Sequence, residues 1–436
     1  MIPRATLLLL FSLALSPLAA ADPGDRLPAQ PVIPGRTFNL GDFGAVPDGV
    51  TLNTQAFKRA VAAVDHAGGG TLEVPPGIFF TGPVNLCSRI NLHLEAGAKI
   101  LFSPDPEDYR EGTASFRPLL LASGVHDVMI SGAGAIDGHG DAWWPAARKF
   151  RDEANARGQG RNNVSPRPLM VAFENCSRVR VEGVSLENSP EHALAPIRSE
   201  NVSIVGVSIF NPEDTPNTDG IDPSSCRRVL IARCRIDTGD DCIAVKAEDT
   251  TAGVSEDILV TDCAFLHGHG CSIGSVTSGG LRNMTVRRCT FDGTDTGIRL
   301  KSFRNFGGLV EHITYADLRM RNVGQAITIS CSYVGTTVDS AGVGDVAEPV
   351  TAATPHWRNI TIRNVTATAC TLGAGLIQGL PEMPVEDVTL EHVSIEAPRG
   401  LIIVDASGVT LNDVHVTARA GPPLLVKANV SGLTQQ

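Results

Sequence analysis

Aspartates carry the most informative pattern in this chain. Asp219 ends the run Asn217-Thr218-Asp219, and Asp240 and Asp241 stand side by side after Gly239. Gly268-His269-Gly270 follows, then Arg299-Leu300-Lys301. Each motif borders or enters a short apolar strand. Aligning them on Ile221, Ile243, Ile273 and Ile298 sets Asp219 and Asp241 two residues before their isoleucines. On successive coils of a repeating fold, equivalent positions stand about 4.8 Å apart. Arg299 and Lys301, two apart, share one strand face. Three carboxylates, one imidazole and two fixed cations then converge on one patch. Each motif alone has a plain structural reading: Asp219-Gly220 as a turn, Gly-His-Gly as a loop, Asp240-Asp241 as a calcium pair. Together they are costly, because stacked carboxylates repel and at least one is driven towards its neutral form. A scaffold needing only stability would place Asn, Ser or Thr there. A protonated carboxyl beside an ionised one is what hydrolysis of a glycosidic bond needs. A neighbouring arginine can hold an acidic sugar bidentately.

Such a patch requires a scaffold that repeats, and the chain supplies one. An alternating apolar strand followed by a second short strand recurs as SRVRVEGVSL, ENVSIVGVSIF, RRVLIARCRI, EDILVTDCAF, RNMTVRRCTF, EHITYADLRM, RNITIRNVTA, EDVTLEHVSI and SGVTLNDVHV. Their first apolar residues are Val179, Val202, Val229, Ile258, Met284, Ile313, Ile360, Val388 and Val409, with a long insertion between Ile313 and Ile360. RINLHL near Ile90 and DVMISG near Val128 read as earlier copies. A unit this short holds two or three strands and no crossover helix. It buries its apolar face only by stacking on its neighbours. The predicted fold is all-β: one right-handed parallel β-helix over 22–436, with catalytic coils at about 200–335. A cap at about 37–85 closes the open end. Asn53-Thr54 followed by Ala56, Phe57, Ala60, Val61 and Val64 predicts its helix, ended by Gly68-Gly69-Gly70. Residues 141–168, with Trp143-Trp144 and many Arg, Asn and Gly, predict a long loop over one face.

The formal charge of −11 argues against a nucleic-acid partner, which calls for a basic surface. Residues 1–21 read as an export signal, with Arg4, the run Leu7-Leu8-Leu9-Leu10-Phe11 and Ala19-Ala20-Ala21 in order. That run is too short to anchor the chain in a membrane. The expected compartment is therefore periplasmic or extracellular. Ten cysteines in an exported chain suggest disulfides. Yet Cys234, Cys263 and Cys289 recur at one repeat position, as a buried column would, and one or two bridges remain open. Paired Cys-x-x-Cys units for zinc are absent. Asn201-Val202-Ser203 and Asn359-Ile360-Thr361 fit a glycosylation pattern, but both fall where the repeat wants a turn followed by a strand.

At the four motifs the chain resembles the polygalacturonases of glycoside hydrolase family 28. FNLGDFGAVPDG, GAIDGHGDAWW and the Arg167-Pro168 step extend the resemblance across nearly the whole chain after residue 21. Leu300 stands where the family has Ile, at a position pointing into the core. The resemblance implies hydrolysis of galacturonan with inversion at the anomeric carbon. It implies Asp240 as general acid, Asp219 and Asp241 sharing the attacking water, and His269 tuning the acid. Asn217, of the first motif, is expected to bind substrate, and Arg299, Lys301 and Tyr333 are implied to bind galacturonate. No metal or cofactor and a monomeric state are expected. NSPEHALAP departs from relatives that carry aromatics there, with His192 as a possible substitute, and Ala247 replaces a common serine. The alternatives are hydrolysis of rhamnogalacturonan or xylogalacturonan, a calcium-dependent pectate lyase, and a non-catalytic β-helical carbohydrate-binding protein.

Overall fold

Ile90, Val128, Val179, Val202, Val229, Ile258, Met284, Ile313, Ile360 and Val388 stand on one another in a single parallel ladder. None is more than 2% exposed. This is the predicted repeat register, including the two early copies and the step across the insertion. The computed structural model describes residues 25–112, 115–157, 165–248, 250–333 and 346–436. The export-signal reading and residues 334–345 of the insertion lie outside them.

The coils form a right-handed parallel β-helix with three long faces. The first sheet holds the ladder above. A second carries Ile100, Ile136, Leu186, Ile209, Ile236, Phe265, Phe291 and Met320 in register. The third runs Leu120, Val171, Leu194, Ile221, Ile243, Cys271, Ile298 and Ile327. All three columns point inward to one continuous apolar core. Burying each such side chain contributes about 1.5–3 kcal/mol, and the stacked phenylalanines keep ring centroids 4.8 Å apart at Phe265 and Phe291.

The third sheet corrects one register. Ile243 pairs with Cys271, whereas Ile273 pairs with Leu300. Cys271 and Ile273 are two residues apart and both point inward, so strand periodicity could not choose between them. The shift moves His269 into line with Asp219 and Asp241, each two residues before its inward-pointing partner in the column.

At the start of the first face the turn is made by single non-glycine residues in the left-handed region, whereas Gly132, Gly183 and Gly206 turn the chain between the first and second faces. Arg178, Asn201, Arg228, Asp257, Asn283, His312, Asn359 and Asp387 have φ between 52° and 57°. Side-chain ladders support this conformation: Arg178 Nε donates to Asp127 Oδ1 at 2.6 Å and Arg228 Nε to Asn201 Oδ1 at 2.9 Å. Asn201 and Asn359 of the two Asn-x-Ser/Thr triplets occupy these corners, as the turn reading expects.

Helix α1 (Thr54–His66) caps the first coil, burying Ala56, Phe57, Ala60 and Val64. Gly69 accepts a φ of +113° at its end, where an added Cβ would meet Arg89 O at 2.5 Å. Residues 141–168 are not simply a loop. They contain helix α2 (Trp144–Ala156), with Trp144, Ala147 and Ala154 buried and the Trp144 indole donating to Ser189 O at 3.0 Å. Pro145 at the start of this segment reads as a breaker in sequence but suits a helix's first turn. All ten cysteines are unpaired. The column thiols instead donate to carbonyls two residues back, as Cys234 does to Ala232 at 3.5 Å and Cys263 to Thr261 at 3.4 Å. Among the described residues no helix is long and apolar enough to cross a membrane.

Candidate active site

The outer surface of the third sheet gathers the polar motifs. Inward residues alternate with outward ones, so Asp222, Ser272 and Arg299 fall in one outward column, with Ala244 as its second rung. Lys246 and Lys301 fall in the next column, separated by the rung of Gly274. Asp219, Asp241 and His269 occupy the turn just before these strands. Asp240 precedes Asp241, so it leans away from that line and is half-buried.

Each of Asp219, Asp240 and Asp241 offers a carboxylate oxygen within 4.8 Å of the other two. Asp241 is 1% exposed and is the most tightly held. Its Oδ1 accepts from Ser272 Oγ at 2.7 Å and from Arg299 Nη1 at 2.6 Å, while Oδ2 accepts from Lys301 Nζ at 2.7 Å. Burial pushes this carboxyl up, but Lys301 and Arg299 outweigh it and hold Asp241 well below the usual carboxylate range. It is ionised at any working pH.

Asp219 has the opposite balance. Burial first, then Asp222, drives its carboxyl well above the ordinary value, against the pull of His192 and Lys246. Lys246 Nζ lies 2.6 Å from Asp222 Oδ2 and 3.4 Å from Asp219 Oδ2. His192 completes the group, with Nδ1 3.1 Å from Asp222 and Nε2 3.7 Å from Asp219. His192, Asp219 and Asp222 have the spacing of metal ligands, yet the Lys246 ammonium already supplies the positive charge there.

His269 bridges two acids. Nε2 is 3.6 Å from Asp240 Oδ1 and Nδ1 is 2.5 Å from Asp295 Oδ2. Burial and Arg299 disfavour its charged form, but Asp295 and Asp240 prevail and raise its pKa. Tyr333 lies over the cations: its hydroxyl accepts from Arg299 Nη2 at 2.9 Å, and Lys301 Nζ stands 5.4 Å from its ring centroid. Asn217 is the outlier. It forms a left-handed turn, φ 52°, two residues before Asp219, where Arg167 Nη2 reaches its Oδ1 at 3.4 Å and Pro216 O at 3.0 Å.

Seven of the eight predicted site residues therefore form one polar cluster, and Asn217 stands in the adjoining turn held by Arg167. The sequence reading missed Asp222, Lys246, Ser272 and Asp295. A signal for two of them was available. Asp222 and Arg299 each follow their register isoleucine by one residue, and Lys246 and Lys301 each follow theirs by three.

The family model for glycosyl hydrolases family 28 matches residues 70–419. The chain belongs to that family. A polygalacturonase of Chamaecyparis obtusa is 30% identical over 374 residues, covering 83% of this chain and 68% of its own. Among solved structures, a hyperthermoactive exopolygalacturonase from Thermotoga maritima is 31% identical, with a TM-score of 0.71 over 88% of this chain and 94% of its own. A family 28 exopolygalacturonase from Yersinia enterocolitica, 23% identical, shares the fold with a TM-score of 0.79 over 92% of this chain and 78% of its own. The family 28 assignment makes this chain a glycosidase, and the acid cluster lies within the matched span.

Proposed function

We propose that this family 28 enzyme hydrolyses α-1,4-galacturonosidic bonds of polygalacturonate, the backbone of pectin. The observation that carries the reading is the pairing of three carboxylates within 4.8 Å with two cations buried against one of them. Asp240, accessible and next to His269, gives its proton to the leaving glycosidic oxygen. Asp241, fixed as an anion, and Asp219 orient and deprotonate the attacking water. Arg299 and Lys301, with Tyr333 over them, hold the galacturonate carboxylate beside the scissile bond. The acid spacing is nearer the roughly 5–5.5 Å of retaining enzymes than the roughly 6.5–9.5 Å of inverting ones. Inversion is proposed on the family resemblance, and NMR of the first-formed product decides it. An α-linked substrate gives the β anomer first, and an α anomer rejects inversion.

Reducing ends should appear from polygalacturonate at full rate in the presence of chelator, because side chains and water supply every group used. Calcium-dependent activity with an unsaturated product would replace the hydrolase with a lyase. Product sizing over time in the same assay separates internal cutting from release at chain ends. We also propose export through residues 1–21 and action as a monomer. N-terminal sequencing of the exported protein and light scattering test these two points.

The pH profile should be bell-shaped with an acidic optimum. Asp241 is too low to set the acidic limb, so that limb reports Asp219, whose raised carboxyl must lose its proton as pH rises. The alkaline limb reports the acid side of the site, where Asp295 and Asp240 keep the His269 imidazole charged above its ordinary range. Initial rates across pH on saturating substrate check this, and an optimum well above neutrality rejects the assignment.

A further inference from the structure

A half-buried lysine in contact with Asp219 has no part in the scheme above. Lys246 leaves the third sheet three residues after Ile243, in the outward column that also carries Lys301. Lys301 turns to Asp241, whereas Lys246 turns to the preceding coil and lies between Asp219 and Asp222. Its side chain is 18% exposed and those of the two aspartates 6% and 3%. Two carboxylates this close and this dry cannot both ionise without a cation between them.

We propose that Lys246 is a positioning residue for the reaction, keeping Asp219 available as an ionised base by neutralising the Asp219–Asp222 pair. The inference rests on the hydrolase reading and adds a residue to it. Every charged group facing Asp219 enters the balance. Asp222, Asp240 and Asp241 oppose its ionisation. Lys246, His192 and the buried Arg167 guanidinium, which anchors the Asn217 turn, favour it. Glu191 lies 3.9 Å from His192 Nε2. Lys246 is distinguished from the others by its contacts to both aspartates and by its permanent charge. His192 also contacts both aspartates, but an imidazole carries a charge only when protonated, whereas the Lys246 ammonium carries its charge throughout. Asp222 is then the partner that fixes Lys246 in place, and the like charge that Lys246 must offset.

The two variants have opposite expected signs. Lys246→Met removes the cation, so the acidic limb of kcat/KM moves up by about one to three pH units, the usual effect of an opposite charge at this range. Its rate loss is largest at low pH and recovers as pH rises, while KM changes less than about twofold. Asp222→Asn removes the like charge and leaves Lys246 to Asp219 alone, so the limb moves down. Lys246→Arg retains the charge and keeps the limb near wild type. An unmoved limb in folded Lys246→Met overturns the proposal. So do shifts of both variants in the same direction. If Lys246→Met does not fold, the direction of the Asp222→Asn limb decides alone, and an upward or absent shift there overturns the proposal. NMR titration of isotope-labelled aspartate carboxyls reads the same shifts at Asp219 without substrate. A wild-type enzyme inactive on polygalacturonate would thus reject the substrate reading while leaving this inference testable.

Discussion

Asp240→Asn should lower turnover by about 10² to 10⁴, the usual weight of general acid catalysis, without lowering the melting temperature. The change is small in shape. Asp240 Oδ1 accepts from its neighbour's amide, Asp241 N, at 2.9 Å, and the Asn carbonyl oxygen can accept the same bond. Its side chain is 24% exposed, so no buried anion is left without a partner and none is created. What disappears is the transferable proton. Substrate affinity should hold or improve, since a neutral amide relieves repulsion from Asp219, from Asp241 and from the acidic sugar. Steady-state kinetics with a melting curve for each protein check the split between kcat and KM. A folded variant with near-normal turnover would remove Asp240 as the acid and turn attention to Asp219, the carboxyl that burial favours in its neutral form.

The fold was legible because a stacked solenoid writes its register directly into the chain. Val179, Val202 and Val229 align by eye in sequence and pair rung to rung in space. The acid cluster was legible for the same reason, since Asp219 and Asp241 hold one offset from Ile221 and Ile243. Legibility failed where inward positions were ambiguous. Cys271 and Ile273 both suit the core, and choosing Ile273 hid the alignment of His269 with the two acids. It failed again where partners come from a neighbouring coil. Lys246 shares the offset of Lys301 from its isoleucine, but that offset alone does not tell that its partners are Asp219 and Asp222 of the preceding coil rather than Asp241. Asp295 is invisible for a related reason: it lies outside every motif and reaches His269 only through the fold. Helix α2 was lost to composition, with Pro145 and a run of Arg, Asn and Gly outweighing the sparse apolar spacing of Trp144, Ala147 and Ala154.

Asp241→Asn should damage both stability and rate, and the two effects can be separated. Lys301 Nζ stands 2.7 Å from Asp241 Oδ2, and Arg299 Nη1 stands 2.6 Å from Oδ1. Both cations are 7% exposed. An asparagine can still accept from Arg299 and Ser272, but its amide then presents N–H groups to the Lys301 ammonium. The Lys301 ammonium then faces a donor in place of its paired carboxylate, and breaking a buried pair in this way costs about 3–5 kcal/mol. The melting temperature should therefore fall by several degrees at neutral pH, measured at one scan rate for both proteins. The sign with pH follows from the depressed carboxyl. Its stabilisation is fully present above the ordinary carboxylate value and fades as pH drops below about 4, so the deficit of the variant should shrink there. Turnover falls as well, because the ionised group that orients the water is gone. Adding Lys301→Met to Asp241→Asn removes the stranded cation. The double variant should recover most of the melting temperature and none of the turnover, a non-additivity expected of side chains in direct contact. Recovery of both would mean that Asp241 serves only to neutralise Arg299 and Lys301, and that the water is activated by Asp219 alone.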